Sequence, residues 1–238
     1  MADGTPQKRI DLKRWLWLTV KFCAGLFVTV HVYALVLFFA PIPGTANMAI
    51  RAVEGEKIQR VWVTLERISP NLVRAVIAAE DTGFCEHQGV SWNAITNALE
   101  ERRKTGRTRG ASTITQQTAK NVFLWNGGGF VRKAPEAWMA VFIDGFWGKR
   151  RVMEVYLNVA EWGDGIFGAE AAARARFGKS AIDLTEREAA LLAAVLPSPN
   201  RYRLDPAGPY VRKQAGTYQA RMRVVRSEGL DVCVLGKR

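Results

Sequence analysis

Residues 22–40 carry no formally charged side chain, and Cys23, His31 and Tyr33 are their only ionisable groups. An apolar run of roughly 20 residues crosses a bilayer as a helix. Nothing else in the chain constrains the fold as strongly, because every other element has to be arranged around an anchor. The flanks agree with it. Lys8, Arg9, Lys13 and Arg14 precede the run, Trp15, Trp17 and Lys21 fall where an interfacial belt belongs, and Pro41 and Pro43 end it. A cleavable signal peptide is the competing reading, with Gly44-Thr45-Ala46 as a passable cleavage site. The apolar core is too long for one. The pattern therefore predicts a cytoplasmic basic tail over 1–14 and an uncleaved transmembrane anchor over 15–40. The body then lies on the far side of the membrane, with a tolerated neutral His31 inside the span. That placement removes DNA, RNA and ATP as partners.

Beyond the anchor, residues 41–59 read as a membrane-proximal connector, 60–228 as the main domain and 229–238 as a C-terminal tail. Formal charge is +12. The basic residues before position 40 outnumber Asp3 and Asp11 only slightly, so most of the surplus belongs to the body. A basic body implies an anionic partner, either a membrane surface or a phosphorylated substrate. No finger, RNP or basic-zipper pattern points to nucleic acid. Cys23, Cys85 and Cys233 have no metal-site spacing. At most Cys85 and Cys233 pair, and with no disulfide framework in the spacing, free thiols are expected.

The body is predicted mainly α. Val61, Val63 and Leu65 alternate with Trp62, Thr64 and Glu66 and suggest a short strand. Ser69-Pro70-Asn71 opens a helix that is apolar on most sides and ends at Glu80. A carboxylate there is either an ordinary surface group or one whose pKa burial tunes, and Asp81 and His87 close by favour a site. A polar helix from 93 leads into a basic run, Arg102, Arg103, Lys104, Arg107 and Arg109, read as a solvated loop. Pro135 fits the first turn of the next helix, and 148–158 forms another. Thr185 and Glu188 make a capping box, and 210–226 is a last amphipathic helix.

Residues 110–121 pack hydroxyls, amides and one cation into a stretch almost free of bulky apolar side chains. As a helix they bring Thr113, Gln116, Gln117 and Lys120 onto neighbouring turns of one broad face. Such a face suits an oxygen-rich ligand, with Lys120 for negative charge.

Four motifs in order resemble those of the peptidoglycan glycosyltransferases, relatives of the glycosyltransferase domain of bifunctional penicillin-binding proteins. They are Glu80-Asp81-x-x-Phe84-x-x-His87-x-Gly89, Gly110-x-Ser112-Thr113-Ile114-Thr115-Gln116-Gln117-x-x-Lys120-Asn121, Arg132-Lys133-x-x-Glu136 and Arg151-Val152-Met153-Glu154-Val155-Tyr156-Leu157-Asn158. The resemblance covers roughly residues 60–225. With one anchor and no transpeptidase motif, the chain is similar to the monofunctional members. The resemblance implies a lysozyme-like helical lobe with a smaller membrane-facing jaw, preceded by one transmembrane helix. It also implies lipid II polymerisation with inversion and release of undecaprenyl pyrophosphate. The expected partners are lipid II, the nascent glycan chain and the bacterial inner membrane, with room for cell-wall synthesis or division proteins. No organic cofactor is implied, and a divalent cation such as Mg²⁺ is left open.

Inversion needs one base on the acceptor hydroxyl, and Glu80 matches that family position. A departing pyrophosphate needs cations more than a proton, and Lys120, Arg132 and Lys133 are available. Glu136 matches the second glutamate, to orient cations or hold a metal. Asp81, Phe84, His87, Ser112, Thr113, Gln116, Gln117 and Asn121 are the remaining expected substrate-binding residues. Tyr156 and Asn158 read as packing and capping. Ser91 stands where the family often has Asp. Gly127-Gly128-Gly129 stands where it often has Arg, leaving Arg132, Lys133 or a loop arginine to compensate. A lysozyme-type hydrolase would need a carboxylic acid and no cations. A non-catalytic scaffold would need neither glutamate.

Overall fold

The computed structural model describes residues 11–106, 110–127 and 129–236, the side chain of Phe130 excepted. The chain divides into two units at Ala40. The first holds α1 (Leu12–Phe39), 28 residues long and apolar enough to cross a membrane. It begins before Trp15 because Asp11 caps it, its carboxylate accepting the Arg14 N–H at 3.2 Å. His31 Nδ1 lies 2.7 Å from the Phe27 carbonyl of the same helix.

The second unit is mainly α, as expected. Its elements are α2 (Ala46–Val53), β1 (Gln59–Arg60), α3 (Pro70–Glu80), α4 (Trp92–Thr105), α5 (Ile114–Phe123), α6 (Gly129–Val159), β2 (Glu161–Gly163), β3 (Ile166–Phe167), α7 (Ala169–Phe177), α8 (Glu186–Val195), α9 (Pro209–Ser227) and α10 (Val232–Leu235). The small sheet has the order β1-β3-β2, with β1 parallel and β2 antiparallel to β3.

Helix α3 is the buried axis of this unit. Leu72 through Ala78 are all buried, and α8 and α9 pack against the helix. Ser69 and Pro70 start it as the sequence predicts, and Ser69 Oγ also donates to the Leu184 carbonyl. Arg74 is buried within α3, and its Nε pairs with Asp231 at 2.6 Å. Helix α5 packs along α6. Thr185 and Glu188 form the predicted capping box of α8. Gly148, at φ 70°, breaks α6, so the helix predicted over 148–158 is its second half.

Several expectations are corrected. The strand read at Val61–Leu65 is absent. Asn158 takes both backbone groups of Val63, Nδ2 donating to its carbonyl and Oδ1 accepting its N–H, and Glu154 accepts the N–H of Leu65. With those groups satisfied by side chains, no ladder forms there, and residues 65–67 make a 3₁₀ turn. Pro135 lies inside α6, not in its first turn. Its ring sits on an exposed face, where water can serve the carbonyl that loses its partner. The basic run is helical as far as Thr105, because Gly106 in the left-handed region closes α4 behind Arg102, Arg103 and Lys104. Arg107, Arg109 and Gly128 lie outside the described residues.

The cysteines are the clearest correction. Cys85 and Cys233 form a disulfide, with Cα atoms 5.6 Å apart across 148 residues of sequence. Residues 229–236 fold back onto the body and bring the two sulfurs together, a juxtaposition that spacing alone cannot reveal. Closing a loop of that length restricts the unfolded chain by about 5 kcal/mol in the chain-entropy picture.

Candidate active site

Glu80 is the last residue of α3, so the buried helix fixes where its carboxylate emerges. Its Oε2 accepts a hydrogen bond from Gln117 Nε2 at 2.8 Å. Gln117 is held in turn by Tyr156, whose hydroxyl donates to Gln117 Oε1 at 3.3 Å. Tyr156 is buried, and burial followed by the charges of Glu80 and Asp81 pushes its pKa well up, so it stays a neutral donor. Burial also raises the pKa of Glu80, and the charge of Asp81 adds to it; the Gln117 hydrogen bond and Lys120 oppose the shift.

Asp81 acts on the protein's own backbone. Its Oδ2 accepts the first N–H of α5, from Ile114, at 3.0 Å and pairs with His87 Nε2 at 2.9 Å. Negative charge at that helix end is favourable. Lys149 Nζ lies 3.5 Å from His87 Nδ1 and 2.7 Å from Asp144, and Thr115 Oγ1 donates to Asp144 at 3.0 Å. Phe84 is fully buried beneath Lys149, whose ammonium sits 4.7 Å from the ring centre. The loop that follows Glu80 is thus tied to both α5 and α6.

The polar stretch divides between support and site. Thr113 is the N-cap of α5 and forms a capping box with Gln116, and its hydroxyl donates to the Gly89 carbonyl at 2.6 Å. Gln116 is buried and faces Thr113. Phe84 and Gln116, expected to meet substrate, therefore present no surface to it, because one is core and the other closes a helix end. Gln117 and Lys120 do reach the site, and Asn121 is half-buried beside them.

On the far side Glu136 is 1% exposed, and both its oxygens are taken by cations. Arg132 Nη1 pairs with Oε2 and Lys133 Nζ lies 2.6 Å from Oε1. Lys133 also donates to Ser112 Oγ at 2.9 Å. Arg132 Nε donates to the Gly127 carbonyl at 2.7 Å, which joins the glycine turn to the cluster. Lys120 feels all of these groups. Burial lowers its pKa most, Arg132 and Lys133 lower it further, and Glu136 and Glu80 oppose the change. One anion thus organises two cations beside a third, with Glu80 in electrostatic reach. Among the described residues no group of three His, Cys, Asp or Glu side chains is arranged to hold a metal. Both oxygens of Glu136 are already paired with cations.

A cleft of about 770 Å³ opens beside Glu80, lined by Asp81, His87, Ser112, Thr113 and Arg221 and by Trp92 and Asn97 of α4. Ser91 caps α4 by accepting the Ala94 N–H. An Asp does the same work, which accounts for that departure from the family pattern. Gly89, at φ +79°, passes so close to α6 that a Cβ would sit 2.6 Å from the Ala140 carbonyl oxygen.

Sequence reasoning missed the parts played by Tyr156, Asp144, Lys149 and Arg221. Tyr156 was readable only as packing, since nothing in its own helix reveals that its hydroxyl faces Gln117.

The transglycosylase family model matches residues 46–227, most of the chain. The chain belongs to the transglycosylase family. A biosynthetic peptidoglycan transglycosylase of Rhodospirillum centenum is 50% identical over 213 residues, which are 89% of this chain and 92% of that protein. One from Caulobacter vibrioides is 50% identical over 219 residues, 92% of this chain and 94% of its own. A third, from Xylella fastidiosa, is 43% identical over 218 residues, covering 87% and 89%.

Proposed function

We propose that this chain is a peptidoglycan glycosyltransferase that polymerises lipid II in cell-wall biosynthesis. The 4-hydroxyl of the acceptor sugar attacks C1 of the lipid-linked chain. Glu80 takes the hydroxyl proton, the C1–oxygen bond to the pyrophosphate breaks, and the new β-1,4 link forms with inversion. The observation that carries this reading is the carboxylate of Glu80, held by Gln117 and raised by burial, with Lys120 in electrostatic reach of both it and the cation cluster built on Glu136. A base and a set of cations are what displacement of pyrophosphate by a hydroxyl requires. Incubating the detergent-solubilised protein with lipid II tests it. Polymer supports the proposal, shortened glycan indicates a hydrolase, and unchanged lipid II indicates a binding protein.

Glu136 serves as the organiser of Arg132 and Lys133 in this scheme. Lys120 and Lys133 act mainly as charge develops on the leaving group, so they lower the barrier more than they tighten ground-state binding. Lys120→Ala and Lys133→Ala are each expected to lower kcat on the order of 10²-fold, with a smaller rise in KM. Steady-state kinetics at fixed Mg²⁺ check this, and a change confined to KM would remove the pyrophosphate role.

The body is placed outside the cytoplasm, with the N-terminus inside, in the bacterial inner membrane. The basic residues ahead of the apolar run, Lys8, Arg9, Lys13 and Arg14, support this. The disulfide supports it independently, since such bonds persist in oxidising compartments. A reporter active only outside the cytoplasm, fused after Arg238, should give signal. A stable but silent fusion would refute the orientation. Cell-wall synthesis or division proteins remain proposed partners.

A further inference from the structure

The loop joining α3 to α4 carries Asp81, Cys85 and His87, and within it Thr82, Glu86 and Gln88 are exposed while Phe84 is buried. Cys85 is bonded to Cys233 on α10. The other end of that bridge is firmly seated. Asp231 pairs with Arg74 inside α3 at 2.6 Å, the Val234 carbonyl accepts from Arg150 Nη1 at 2.7 Å, and Val234 is buried. Arg150 follows Lys149, whose ammonium meets His87. The disulfide therefore joins the loop to the same two helices that position Glu80 and the Asp81–His87 pair.

We propose that Cys85 and Cys233 are positioning residues for the transfer reaction. Their bridge holds Asp81 and His87 in register with the first N–H of α5, keeps Glu80 against Gln117, and makes turnover depend on the oxidised state. Both cysteines are partly exposed, so a small dithiol can reach them. A dithiol such as dithiothreitol supplies two electrons and two protons. The S–S bond breaks, two thiols form, and the reagent closes to its cyclic disulfide. The proposal rests on the reading of Glu80 as the base.

The test uses the folded full chain in detergent, reduced with dithiothreitol and then reoxidised with oxidised glutathione, beside Cys85→Ser, Cys233→Ser and the double variant. Reduction is expected to lower kcat about tenfold or more with KM little changed, as for a displaced catalytic group. All three variants should fall to the same level, because losing either sulfur removes the whole bridge, and none should respond to the dithiol. Reoxidation should restore the wild type. The acid limb of kcat should move to lower pH, since a loosened loop lets water reach Glu80. Hydrogen exchange should show protection lost over 81–90 and retained in α8. This arm reads the brace even if Glu80→Gln proves active, so failure of the base assignment is distinguishable. Unchanged kcat with both thiols shown free by titration overturns the proposal. So does loss of protection throughout α3 and α8 on reduction, which would make the bridge a general staple.

Discussion

Glu80→Gln is expected to abolish polymerisation while leaving the fold at least as stable. The substitution keeps the shape of the side chain and its place beside Gln117 but removes the proton acceptor. Losing general-base help lowers kcat on the order of 10²–10⁴-fold. Stability should move the other way. Burial and the neighbouring Asp81 raise the Glu80 pKa, so the folded protein binds its proton more readily than the unfolded chain does. The stability this contributes is present below the unfolded pKa and is lost as pH rises through the folded one. At neutral pH the wild type carries the disfavoured charged form, and the amide does not. Thermal melting at neutral pH should therefore show an equal or higher midpoint, and the wild-type kcat should have an acid limb above the ordinary carboxylate value of about 4.3. Activity within a few-fold of wild type, in protein with an unchanged circular dichroism spectrum, would falsify the assignment.

Glu136→Gln should also be inactive, but for a different reason, and with the fold weakened. Its carboxylate is 1% exposed and neutralises Arg132 and Lys133 together. Removing one partner of a buried pair costs about 3–5 kcal/mol because a charge is left uncompensated. The Lys133 side chain is 42% exposed and the Arg132 side chain only 11%, so water relieves the first cation and not the second. That places the expected loss near the lower end, about 3 kcal/mol. Denaturant unfolding measures it. Arg132→Met combined with Glu136→Gln should recover part of the stability and none of the activity. A stable Glu136→Gln protein would mean that the carboxylate does not organise the cations.

The apolar N-terminal helix, the helix ending at Glu80 and the capping box of α8 were legible because each is a local pattern: an uncharged run, a Ser-Pro start, a Thr-x-x-Glu spacing. The two glutamates were singled out by motif order, and their roles stay part of the proposal. What escaped was every feature made by long-range contact. Asn158 reaches back to occupy the backbone of Val63, so alternation that reads as a strand has no ladder to join. Residues 229–238 read as a tail, yet Cys233 within them is the partner of Cys85. Within 110–121, Gln116 and Gln117 are adjacent and chemically identical, but the helix turns one toward its own cap and the other toward Glu80. No property of the residue type separates them; only the phase of α5 does.

The two walls of the cleft differ in what holds them. The wall ending in Glu80 belongs to α3, which is buried along nearly its whole length, whereas α4 has no buried residue and is secured at its ends by Ser91 and Gly106. Opening free energy follows burial, so α3 gives way only with the global fold and α4 yields at much lower cost. A molecule lying between them is held against a rigid anvil by a compliant finger. In the polymerisation proposed above, that asymmetry would keep the reacting end registered on Glu80 while the opposite wall gives.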